Sequence, residues 1–139
     1  GVTMDLSFFN DFKDPYMKSP RGQGIFLAGV LLGYIAYKQA GGKNEDDITK
    51  APLFKQIQFG RMDMKTLKRL LARVPQLIAA YREDIGKSMN ALTYLSAKVG
   101  EMLLSDGTEE LGIEGNFAFA TGFVNANNYY WKMFSKKDE

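Results

Sequence analysis

Residues Ile25 to Tyr37 form an unbroken apolar run of 13 residues, with no charged side chain between Arg21 and Lys38. Such a segment must be buried on every side, so it constrains the fold more than any other feature. It is too short to span a bilayer, which takes about 20 residues. It also lies too far into the chain, with the wrong flanks, to be a signal peptide. Read with its shoulders, Arg21 to Ala40 is a helix that is apolar nearly all round. That is the pattern of a central helix enclosed by others. Gly29, Gly33 and Ala36 or Ala40 make a ridge of small residues on it, which predicts the close approach of a neighbouring helix. The run length argues against reading Gly29-x-x-x-Gly33 as a membrane dimer motif.

The segments on either side also read as helices. Asp5 to Lys13 forms a short helix with Leu6, Phe8, Phe9 and Phe12 available for docking, and Asp14-Pro15 and Ser19-Pro20 bracket a turn. Gly41 to Thr49 is a polar loop, and Pro52 to Gln58 a short helix with Leu53, Phe54 and Ile57 inward. Asp63 is suited to cap a helix that begins at Met64. Pro75 should kink or divide that helix near Ala72. Gly86 marks a break within Glu83 to Lys87. Ser88 to Leu104 is the next helix, with Met89, Leu92, Leu95, Val99, Met102 and Leu103 on its apolar side. Ser105 to Gly115 is an acidic loop or a weak helix start. Asn116 to Phe134 is the last helix and is strongly aromatic.

No alternating strand pattern and no internal repeat stands out. The fold class is all-α: a compact bundle of about five or six helices in one domain spanning residues 1–139. Gly1 to Thr3 reads as a remnant ahead of a natural start at Met4, and residues 135–139 as a frayed tail.

Charge is distributed very unevenly. Lys50 to Arg82 holds eight basic side chains and one acid, Asp63. That stretch therefore carries +7 in a chain whose net charge is +2, and the remainder sums to −5. A local field of that kind attracts polyanions whatever the total charge. At about 100° per residue, Met64, Leu67, Leu70, Leu71, Val74, Leu77, Ile78 and Tyr81 fall on one side of the helix. Lys65, Lys68, Arg69 and Arg73 fall on the other, and Arg61 in the preceding turn points the same way. Lys55 belongs to the same patch. A merely solvated face would interleave both signs in i,i+4 pairs, but no acid lies between Met64 and Arg82.

The composition excludes several chemistries. The chain has no cysteine and no histidine. Disulfides, thiolate nucleophiles, zinc–thiolate sites and histidine-based triads are thus impossible within it. The lack of cysteine suits a reducing cytoplasm. Gly22-Gln-Gly24 opens a helix but lacks the third glycine and the preceding strand of a dinucleotide-binding loop, and it is no P-loop. A phosphate contact from Arg21 at that helix start is one reading of it. Glu45-Asp46-Asp47 and Glu109-Glu110 read as loop or helix-start carboxylates rather than a metal or acid–base site. Phe117, Phe119, Phe123, Val124 and Trp131 could stack bases but are more simply core. Tyr129 and Tyr130 are adjacent, so one of them should reach the surface. No active site, metal or cofactor is expected.

Four segments together resemble one family. They are Phe26-Leu27-Ala28-Gly29-Val30-Leu31-Leu32-Gly33-Tyr34 running to Lys38-Gln39; Pro52-Leu53-Phe54; Gly60-Arg61-Met62-Asp63 with Lys65, Leu67, Lys68, Leu70 and Leu71; and Phe117-Ala118-Phe119-Ala120-Thr121-Gly122-Phe123. The chain is similar over nearly its whole length to the C-terminal helical region of the large subunit of type I-B CRISPR interference complexes. In that family the region can also be produced separately as the small subunit.

The resemblance implies a non-catalytic helical subunit. It would sit beside further copies of itself and the backbone and large subunits, in a crRNA-guided complex, and steady unwound target DNA. It implies phosphate contact at Arg61, Lys65 and Lys68. Arg69 and Arg73 rest on the helical-wheel argument alone. The competing readings are a protein-interaction module docking an acidic partner, and a small-molecule or membrane-surface binder. An enzyme is the least favoured class.

Overall fold

A computed structural model describes residues 2–136; Gly1 and part of the expected tail, Lys137 to Glu139, lie outside the described residues. The spine is α1, Pro20–Gln39, in which every residue from Gly24 to Ala36 is buried. Ser19 caps it, its Oγ accepting the Gly22 N–H at 3.0 Å, and Pro20 occupies the first turn, where its missing N–H costs nothing.

The chain then runs α2 (Pro52–Lys55), α3 (Met64–Ala72), α4 (Val74–Ala80), α5 (Arg82–Ile85), α6 (Met89–Leu103), α7 (Gly112–Val124) and α8 (Ala126–Met133). The segments α2 and α5 are single turns of 4 residues each. Among the described residues the remaining six form the all-α bundle expected from the sequence, with 3-10 turns ahead of α1, α2 and α6. Among the described residues the only β pairing is an isolated bridge between Asp63 and Glu110.

α7 packs along α1 most extensively, and α6 and α8 cover its other sides. The ridge of small residues is what allows the α1–α7 contact. A β-carbon on Gly29 would strike the Phe119 carbonyl, and one on Gly33 would lie 2.7 Å from the Phe123 Cα. Gly122 on α7 answers in kind, facing the Phe26 carbonyl. The glycines thus serve close packing inside this fold. Around the N-terminal half of α1, Phe8, Phe9, Phe12 and Tyr129 surround the Phe26 ring, with centroids 4.8–5.9 Å away. Tyr34 stacks on Tyr130 at 4.1 Å nearer its C-terminal end.

The last helix departs from expectation. It starts earlier, at Gly112, and breaks at Asn125, whose φ of −111° and ψ of 22° leave the helical region. The break rotates α8 relative to α7. Phe119, Phe123 and Tyr130 are buried, whereas Phe117, Val124 and Trp131 stand out at 72, 57 and 41% exposure. These three are therefore not core residues. Tyr130 is buried while Tyr129, half-buried against Phe8 and Phe26, keeps part of its ring at the surface, and Trp131 is the most exposed aromatic side chain on α8.

Candidate nucleic-acid interface

The basic helix forms as its pattern requires. Asp63 caps α3, its carboxylate accepting the Thr66 N–H at 2.7 Å. That bond, reinforced by the Thr66 side chain, holds the Asp63 carboxyl below its ordinary value. Met64, Leu67 and Leu70 go into the core, and the helix ends at Ala72, with Pro75 in the first turn of α4. Gly60 supplies the positive φ, +83°, that turns the chain into α3.

Asn116 of α7 then clamps that turn. Its Oδ1 accepts the Met62 N–H at 2.9 Å, while its Nδ2 donates to the Met62 carbonyl at 3.1 Å and the Gly112 carbonyl at 2.9 Å. This clamp fixes the backbone that carries Arg61. No sequence motif announces it, because the partners lie 54 residues apart.

The seven cations singled out from the sequence fall into two groups. Lys55, Arg61, Lys65 and Arg69 are exposed, and none forms an ion pair with a described acid. Lys65 and Arg69 are one i,i+4 step apart, a rise of about 6 Å along α3. Lys65 and Arg69 are like charges one turn apart, and counter-charge from outside relieves their repulsion.

The other three are engaged in the fold. The Lys68 ammonium donates to the Asp106 carbonyl at 2.7 Å and reaches the Leu104 carbonyl at 3.5 Å. The Arg21 guanidinium pairs with the Asp106 carboxylate and donates to the Glu110 carbonyl. Arg73 is half-buried and donates to the Gln56 side chain. Lys68 and Arg21 therefore brace the acidic loop between α6 and α7, and Arg73 ties the end of α3 to the end of α2. Geometry of this kind makes Arg21 a structural tie.

The braced loop also meets the start of α3: the Met64 N–H donates to the Glu109 carbonyl at 2.7 Å. Burial pushes the Asp106 carboxyl upward. The Thr108 N–H and the Arg21 guanidinium outweigh it and leave the carboxyl below its ordinary value of 3.8. A lowered carboxyl stabilises the fold while ionised. That contribution is complete above the ordinary value and is lost as pH falls below about 4 and through the lowered one. R21A and D106N should each lower stability by about 1–2 kcal/mol at neutral pH. D106N should also flatten the loss of thermal stability between about pH 4 and 2. Melts that respond to acid identically in D106N and wild type would refute the brace.

Asp46 and Asp47 of the first acidic cluster serve turns. Asp46 accepts the Lys43 N–H at 3.0 Å, and Asp47 accepts both the Thr49 N–H and its hydroxyl. Among the described residues no three acidic side chains gather as a metal site, and no helix is long and apolar enough to cross a membrane.

These features define an all-α domain built on one buried helix, with exposed, unpaired cations on and just before α3 and exposed apolar side chains on α7 and α8. Residues 4–137 match the family model described as CRISPR-associated protein TM1802 (cas_TM1802) C-terminal domain, and the chain belongs to that CRISPR-associated family. No curated protein and no solved structure matches it.

Proposed function

We propose that this domain is a non-catalytic subunit of a type I-B, crRNA-guided surveillance complex, acting as or like its small subunit. It holds the sugar–phosphate backbone of unwound target DNA without reading sequence. The observation that carries this reading is that Lys55, Arg61, Lys65 and Arg69, on one short stretch of chain, are exposed and form no ion pair with a described acid, while Lys68 and Arg73 of the same stretch are tied into the fold.

In RNA-guided recognition, base pairing supplies the sequence specificity and protein supplies backbone contact. Membership of a CRISPR-associated family supports that context. The exposed apolar row of Ile113, Phe117 and Val124 on α7 suits contact with another protein subunit of the complex. Ile113 and Arg61 line one groove, so the two contact surfaces adjoin there.

Fluorescence anisotropy of labelled single-stranded DNA, titrated at several salt concentrations, tests the reading. Four phosphate contacts give a slope of log K against log salt of about −3. Affinity should fall about 50-fold between 50 and 200 mM salt, equally for unrelated sequences. A slope near zero, or no binding at 50 mM salt, would transfer the role of the cationic face to an acidic protein partner.

A further inference from the structure

A cavity of about 550 Å³ opens beside the α7–α8 junction. Its walls are the C-terminal end of α1 at Tyr37, the loop around Lys43 to Ile48, and the α7–α8 junction from Phe123 to Asn128 with Trp131. The volume is in the range of small-ligand sites. Three features of its lining suggest an occupant.

Trp131 is 41% exposed here although its neighbours Tyr130 and Met133 are buried, so a large indole surface is left for something flat. Asn44, Asn127 and Asn128 supply side-chain amides, each offering a donor and an acceptor. Asn127 reaches Asn44 at 3.3 Å, while the exposed Asn128 makes no hydrogen bond to a described residue. The lining holds one charged side chain of each sign, Lys43 and Asp46. A bare phosphate gains little in such a field. A neutral ring with donors and acceptors on its edge suits it better.

We infer that this cavity takes one unstacked purine base of a single strand, adenine foremost. Trp131 is the stacking platform and the Asn44, Asn127 and Asn128 amides meet the base edge. Stacking on an aromatic side chain tolerates any base, and an asparagine amide matches the adenine N6/N7 edge in particular. The inference rests on the nucleic-acid reading for the identity of the ligand, and it adds to backbone binding a site where a base is held.

Trp131 is the sole tryptophan, so intrinsic fluorescence reports on this cavity. The experiment titrates the protein with an oligodeoxyadenylate and with an abasic strand of equal length, following tryptophan emission and labelled-strand anisotropy together. The adenylate should quench Trp131 saturably and bind more tightly than the abasic strand, which should leave emission unchanged. W131A should weaken adenylate binding about five-fold or more while leaving abasic binding unchanged. N128A should reduce quenching with the fold intact.

Binding of both strands by anisotropy without quenching by the adenylate overturns the base site and leaves the backbone reading standing. Equal quenching by both strands overturns it too, since the signal would then not come from a base. Saturable quenching without any salt dependence would support the cavity while removing the backbone reading.

Discussion

G33V should unfold this protein or lower its stability by about 3 kcal/mol or more. A β-carbon at Gly33 would sit 2.7 Å from the Phe123 Cα and 2.8 Å from its carbonyl carbon. Those are backbone atoms in the last turn of α7, which cannot rotate aside as a side-chain tip can. The substitution therefore has to push α7 off α1, along the most extensive helix contact in the fold. A helix ordinarily gains up to about 1 kcal/mol when a glycine is replaced by alanine, so G33A would separate the two effects: packing predicts a loss where propensity predicts a gain. Gly100 on α6 provides the control. It is exposed, and a β-carbon there would meet nothing within 4 Å. G100A should stabilise by about 0.5–1 kcal/mol. Thermal melts followed by circular dichroism read both. If G33V melts within about 2 °C of wild type, the interlocked glycines are not what holds the two helices together.

The same comparison shows which parts of the fold could be read from the chain. The α1 helix was legible because 13 consecutive apolar residues leave no face for solvent, and its glycine ridge predicted a close neighbour. The α3 helix was legible because its cap, its period and its terminating proline are all local signals, and each stands as expected. The break at Asn125 was not legible. Asparagine is only a weak helix breaker, and here the geometry follows from fitting α8 against α1 and the N-terminal phenylalanines. Phe117 and Val124 share the exposed side of α7 ahead of the break, so missing it misplaced only Trp131, and it hid the cavity that Trp131 lines.

The candidate interface divides in the same way. A helical wheel places Lys65, Lys68, Arg69 and Arg73 on one arc. It says nothing of the loop between α6 and α7, which arrives from about forty residues later in the chain and supplies carbonyls to Lys68. Tertiary hydrogen bonds decide which cations are free, and these join residues far apart in sequence.

That division sets the strongest functional prediction. Reversing all four free cations, as K55E/R61E/K65E/R69E, should lower affinity for single-stranded DNA by at least about 100-fold at 50 mM salt and bring the salt slope close to zero. Stability should change little. Lysine, arginine and glutamate have similar helix propensity. A glutamate at position 65 improves the match to the macrodipole at the start of α3, while one at 69 worsens it near the end. The contrasting variant is K68Q/R73Q, which removes two cations from the same helical arc. Those side chains hold the acidic loop and the end of α2. This variant should therefore melt several degrees lower and keep a salt slope of about −3. Anisotropy and thermal melts on the two variants thus give opposite patterns. If K68Q/R73Q lost as much affinity as the quadruple variant at unchanged stability, the whole arc would be the binding face, and the braces would yield to DNA. If neither variant lost affinity, the cationic face would belong to a protein partner.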